Sequence, residues 1–260
     1  MRDLRRPPKP VSALAAIGVV LFALPVLALL VEAPWGSLLA ELSAPETRTA
    51  TRVSLLVSLT ATVLAVVLGV PLAFALANLH FWGKPVVRTI ITVPLVLPPV
   101  VTGVALASAF GRRTTFGDLF GFGLTSTTVG AILAATLVAT PFLVLTVEGT
   151  LRSTDPGYEN LAATLGAPPL ARWWRVSLPL ARPGILAGAI LAWARALGEF
   201  GATITFAGNI QGVTRTLPLE ISIALENPES RDRAIAISMF LLAVSLTVLI
   251  TLRDRWIPRR

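Results

Sequence analysis

Apolar residues in this chain come in long unbroken runs rather than in alternation. The run Leu64-Ala-Val-Val-Leu-Gly-Val70 has no polar residue at every second position, as a strand of a membrane barrel would require. Helices are therefore expected. A helix needs ~20 mostly apolar residues to cross a hydrocarbon core of ~30 Å. Six stretches meet that length: 11–31, 53–77, 89–110, 127–150, 183–207 and 234–252. The sixth carries no charge, whereas the fifth contains Arg195 and Glu199. Pro94, Pro98 and Pro99 interrupt the third, because each removes a backbone donor and crowds the preceding turn. A broken helix at mid-membrane is tolerated where it borders protein or a cavity.

Composition agrees with a membrane chain. Of 260 residues, 54% are hydrophobic and only 14% charged, against roughly 25% charged in soluble domains, and the mean hydropathy is +0.77. Disorder needs the opposite balance. The first stretch follows Arg2, Arg5, Arg6 and Lys9, as a signal peptide would. At 21 residues it exceeds an ordinary signal core, and no small-x-small cleavage site follows Leu30, so an uncleaved anchor is expected.

The net charge of +8 raises nucleic acid as a partner, but the positions of the charges give it another meaning. The N-terminus, the second and fourth connections and the C-terminus hold fourteen lysines and arginines, and the opposite connections hold seven. The basic side faces the cytoplasm, which places both termini there and makes nucleic acid an unnecessary partner. The expected fold is all-α: one polytopic transmembrane domain over residues 1–260, with six spans and no soluble domain. The outward connections, 32–52, 111–126 and 208–233, are too short to bury a core of their own.

Chemistry is sparse. With no cysteine there is neither a disulfide nor a thiolate metal site, and the single histidine, His80, sits in a short turn. No nucleophile–base pair or metal cluster emerges, so no enzymatic role is expected. No phosphate-cradling Gly-x-x-x-x-Gly-Lys-Ser/Thr loop is present either.

The connection 151–182 is the most informative. Asp155-Pro156 resembles a helix start, and Gly166 followed by Pro168 a helix stop. Between them Tyr158, Leu161, Ala162 and Leu165 form one apolar stripe. A helix lying on lipid carries lysine or arginine on its polar face. Here Glu159 is the one charge, which favours docking to a protein. Arg172-Trp173-Trp174-Arg175 suits the membrane interface, and Pro179 and Pro183 mark the elbow entering the fifth span.

This loop resembles the EAA loop of ABC-importer permeases, by which such subunits grip their ATPase. The family pattern is Glu-Ala-Ala, three residues, glycine, nine residues, Ile-x-Leu-Pro. It falls on Asn160-Leu161-Ala162, Gly166, Val176 and Leu178-Pro179. Asn160 replaces the glutamate and Leu161 the first alanine, while Glu159 sits one residue early and is placed to supply the carboxylate. Within that family the chain is similar to the molybdate-type permeases in Pro94–Gly103, in Arg195–Thr203, and in Phe206-Ala-Gly-Asn209 leading to Thr216-Leu-Pro-Leu219. Sulfate permeases share Gly198–Gly201 and Thr216–Leu219. Thr205–Asn209 tilts the likeness toward molybdate or tungstate.

The resemblance implies type I ABC-importer architecture and a homodimer with the pathway between its copies. It also implies two cytoplasmic ATPases, carrying the ATP and magnesium, and an outer oxyanion-binding protein. No cofactor is expected on this chain. The coupling residues would be Glu159, Asn160, Leu161, Ala162, Leu165 and Gly166. A sulfate or thiosulfate permease is the neighbouring alternative. An ion-coupled secondary transporter is the alternative from another class, and it leaves the loop signature unexplained.

Arg195 lies 13 residues after Arg182, ~20 Å along a helix, where an arginine must face protein or water. With Glu199 it would share a helical face. One reading has Arg195 attracting a divalent oxyanion while Glu199 keeps the free site near neutral; the other is a salt bridge locking the fifth span. Leu97, Pro98, Pro99, Thr102 and Gly103 are expected near a constriction, with Thr203 and Thr205 as weak donors along the wall. Pro71 and Pro141 are expected as packing kinks and Glu148 as an interfacial charge.

Overall fold

The computed structural model describes residues 8–112, 114, 117 and 123–256. Arg2, Arg5, Arg6, Arg113, Arg259 and Arg260, counted above for orientation, lie outside the described residues. Helices are the regular structure throughout the rest. In chain order they are α1 (Lys9–Glu32), α2 (Leu38–Leu42), α3 (Pro45–Asn78), α4 (Lys84–Val96), α5 (Pro99–Phe110), α6 (Thr128–Ser153), α7 (Gly157–Thr164) and α8 (Pro169–Arg172). A π-helical turn, Trp173–Ser177, leads into α9 (Leu178–Leu197), followed by α10 (Gly201–Phe206), α11 (Leu217–Glu226) and α12 (Arg231–Trp256).

The core is the trio α3, α6 and α9, which pack on one another more extensively than any other helices. Lipid tails are as apolar as leucine, so spans associate through close van der Waals approach, which small residues permit. Ala61, Ala65 and Ala73 of α3, Ala131, Ala135 and Ala139 of α6 and Ala192 and Ala196 of α9 are all buried. A Cβ on Gly69 would stand 2.6 Å from Leu143 Cδ2, so a side chain there would make Leu143 shift between α3 and α6. The threonines of these spans satisfy themselves. Thr62, Thr136, Thr140 and Thr146 each donate 2.7 Å hydrogen bonds to the carbonyl one turn back.

Two expected spans are not continuous helices. The third is α4 and α5, separated by Leu97 and Pro98 with extended backbone (ψ 137° and 134°). Adjacent prolines explain the break: Pro98 and Pro99 lack N–H donors, and each pushes the residue before it out of the helical region. The fifth ends at Leu197, and α10 starts at Gly201 after Phe200 turns away (φ −127°, ψ −58°). Arg195 and Glu199 therefore do not share one helical face. The helix stops between them, at a Gly198 that brings no side chain to hold it.

The connections also carry more structure than their length suggests. α3 starts at Pro45, eight residues before the hydrophobic run, with proline in its first turn. Within 208–233, α11 buries Leu217 against Ala50 and Ile237, and Leu217 N–H donates to Ser54 Oγ at 2.6 Å. α1 is the exception to all this packing. None of its residues is buried, and it meets the rest through α12 and the Arg231–Glu32 ion pair at 2.9 Å.

Candidate functional site

Residues 155–167 form a helix with both ends fastened. Asp155 Oδ1 accepts from Gly157 N–H at 2.8 Å, satisfying one donor of the first turn. At the other end Gly166 N–H donates to Ala163 O and Ala167 N–H to Ala162 O, both at 3.0 Å. This is a Schellman ending, and it needs the left-handed backbone that Gly166 adopts at φ +81°. Between these ends Tyr158, Leu161 and Leu165 stand 57%, 61% and 79% exposed, an apolar stripe that covers nothing in the chain. Asn160 is exposed beside it and Ala162 half-buried. Glu159 turns the other way: its carboxylate accepts from the buried Ser177 hydroxyl at the foot of α9. The carboxylate that stood one residue early is thus engaged within the loop.

The two helix breaks meet. A Cβ on Gly201 would come within 2.5 Å of Pro99 Cβ, and α5 and α10 pack along each other from that point. Thr102, Gly103 and Thr203 are buried between or beside these half-helices, Leu97 is half-buried, and Pro98 and Pro99 are exposed. Thr205 donates to Gly201 O at 2.8 Å, so its hydroxyl proton is spent inside α10. Glu199 is 2% exposed and joins two elements. Its Oε1 accepts from Ala202 N–H at 2.8 Å, capping α10. Its Oε2 lies 2.6 Å from Arg195 Nη1, an ion pair whose angle falls outside hydrogen-bond geometry. The Arg195 side chain remains 29% exposed, so its guanidinium is not fully enclosed by the pair.

Residues 65–260 match the family model of the binding-protein-dependent transport system inner membrane component. The chain belongs to that family. It is 44% identical over 246 residues to the molybdenum transport system permease protein ModB of Mycobacterium tuberculosis, covering 94% of this chain and 92% of that one. It is 37% identical to the ModB of Escherichia coli K12, over 72% of this chain and 82% of the other. The fold is similar to that of a bacterial ABC transporter that imports the polysaccharide alginate, with a TM-score of 0.71 at 17% identity over 96% of each chain. The chain is accordingly a multi-pass membrane permease subunit with the ABC-permease fold.

Two carboxylates of this permease hold ion-pair networks that the sequence did not reveal. Glu148, expected as an interfacial charge, is a buried ion-pair centre. It is buried in α6, where Oε1 pairs with Arg88 of α4 and lies 2.8 Å from Arg152 Nε, while Arg152 Nη2 also donates to Leu76 O at 3.2 Å. Glu220, equally buried on α11, pairs with Arg215 at 3.5 Å and Arg233 at 3.7 Å. Arg233 reaches on to Glu41 at 3.5 Å and Glu46 at 3.4 Å. Partners far apart in sequence, such as Glu148 with Arg88 and Glu220 with Arg233, give no periodic signal. Among the described residues no group of three metal-ligating side chains occurs.

Proposed function

We propose that this chain is the permease subunit of an ATP-driven importer of molybdate or tungstate, working as a homodimer. The observation that carries the reading is the helix Gly157–Thr164, held at both ends and presenting Tyr158, Leu161 and Leu165 bare. A partner ATPase takes that stripe into a groove. ATP and magnesium stay on the ATPase, and closure of two such subunits moves the loop. Glu159 passes the movement to α9 through Ser177, and α9 leads to the break at Gly198–Phe200. The pathway runs beside the paired half-helices, with Leu97, Pro98, Pro99, Thr102, Gly103, Thr203 and Thr205 around the constriction and the Arg195 guanidinium beside it. The loop 151–182 and both termini face the cytoplasm. An outer binding protein delivers the oxyanion, and the substrate class is supported by the molybdenum permeases to which the chain is 37% and 44% identical.

The test is reconstitution of this chain with its ATPase and binding protein in sealed vesicles. Loaded binding protein is expected to raise ATP hydrolysis and drive uptake of labelled molybdate, and the chain alone is expected to transport nothing. Uptake that collapses with the proton gradient but survives ATP depletion would overturn the mechanism. Efficient competition by excess sulfate would overturn the substrate.

A further inference from the structure

A groove of about 610 Å3 opens between α3 and α9. Val66 and Val70 form one wall and Ile185 and Leu186 the other, with Trp173, Trp174 and Arg182 among its lining. Val66 lies 12 residues before the end of α3 at Asn78, ~18 Å along the helix. That is about the depth of one leaflet, half of a ~30 Å hydrocarbon core. The groove therefore runs from the level of the tryptophans to about the middle of the membrane.

The charges at its mouth are unmatched. Arg88, Arg152, Arg195, Arg215, Arg231 and Arg233 each pair with a carboxylate. Among the described residues Arg172, Arg175 and Arg182 pair with none, and Arg172 Nε is buried without a hydrogen-bond partner. Arg182 thus lines an apolar slot with no carboxylate paired to it, and Arg172 and Arg175 flank the two tryptophans of that lining in the chain. Trp173 is fixed edge-on against Phe74 at 6.4 Å, and Trp174 against Trp173 at 4.6 Å. Together these rings form a rigid aromatic shelf of the kind that settles at headgroup level.

We propose that this groove is a binding site for an anionic phospholipid, with one acyl chain between α3 and α9 and the phosphate on Arg182. Charge complementarity selects the headgroup, since a basic pocket between spans favours anionic lipid. The apolar walls select a lipid over a free phosphate. The site lies on the segment that joins the Glu159–Ser177 contact to α9, so its occupant braces the entry to that helix.

The experiment uses the complex of this chain with its partner subunits in mixed micelles containing phosphatidylglycerol or phosphatidylcholine of matched chains. Native mass spectrometry counts the lipid retained. Phosphatidylglycerol is expected to be retained preferentially, and Arg182→Gln, a change at an exposed side chain, to lower that preference about fivefold, as for one lost lipid-facing charge. Val67→Trp, which fills the groove from an exposed position, is expected to lower retention of both lipids. Arg52→Gln, toward the other end of α3, is expected to change nothing. Inorganic phosphate is expected not to displace the lipid. Equal retention of both lipids, an inert Arg182→Gln, or displacement by phosphate would overturn the proposal. So would a photo-cross-linker at Val67 that captures a helix of a second copy or of a partner subunit.

Discussion

Gly103 of α5 lies directly against Thr205 of α10: a Cβ on Gly103 would come 2.5 Å from Thr205 Cβ and 3.0 Å from Ala202 O. This close approach helps join the two broken spans, and it exists because the residue on one side has no side chain. Gly103→Val is expected to lower stability by about 1–3 kcal/mol, the usual range for overpacking, and to reduce uptake more than tenfold in reconstituted vesicles. Thr205→Gly in the same chain removes the opposing Cβ and is expected to restore part of both. Thermal unfolding of the purified complex reads the first effect and labelled uptake the second. Wild-type behaviour of Gly103→Val would remove this crossing from the mechanism.

The Arg195–Glu199 pair separates by substitution. Glu199→Ala removes both the cap on α10 and the partner of Arg195. The expected loss is about 3–5 kcal/mol, as when one member of a buried pair is deleted. Glu199→Gln together with Arg195→Met keeps an acceptor for Ala202 N–H and leaves no lone charge, so most of the stability is expected to return. Uptake by that double variant is expected to stay at least tenfold down with basal ATP hydrolysis unchanged, because the guanidinium proposed to stand beside the pathway is gone. A double variant that transports normally would assign the pair to packing alone.

Gly166 holds the left-handed turn that ends α7. A side chain there costs about 1–2 kcal/mol of backbone strain and frays the last turn that carries Leu165. Gly166→Val is expected to leave the complex folded, with ATP hydrolysis no longer responding to loaded binding protein and uptake lost. Parallel assays of hydrolysis and uptake on one preparation check this. Unchanged uptake would count against docking through this helix.

Glu148 is expected to matter for stability rather than for transport chemistry. Glu148→Gln leaves Arg88 and Arg152 facing each other across α4 and α6 without their shared anion. The expected loss is about 3 kcal/mol, the low end for a broken buried pair because both arginines reach solvent. Arg88→Met in the same chain is expected to recover part of it. Thermal unfolding with a double-mutant cycle measures the coupling, and additive effects would show that the pair is not coupled.

The helical class and the family are legible in the sequence because both rest on contiguous signals, namely apolar runs and short motifs of fixed spacing. The interruption at Pro98-Pro99 is legible for the same reason, since proline acts on its own turn. The end of α9 at Leu197 is not. It falls at Gly198 inside an apolar run, and nothing in hydropathy marks Glu199 as the cap of the helix that follows. The ties of Glu148 to Arg88 and of Glu220 to Arg233 cross 60 and 13 residues, and such pairings appear only once the helices are placed. The inward turn of Glu159 toward Ser177 is hidden likewise, because a spacing rule counts positions and carries no information on where a side chain points.

At Leu97–Pro98 and again at Gly198–Phe200 the ladder of backbone hydrogen bonds is already open. A hinge in an intact helix must rupture several such bonds in surroundings that offer no water to replace them. These two joints have fewer such bonds to rupture, so a bend placed there costs less backbone hydrogen bonding than one inside an intact span.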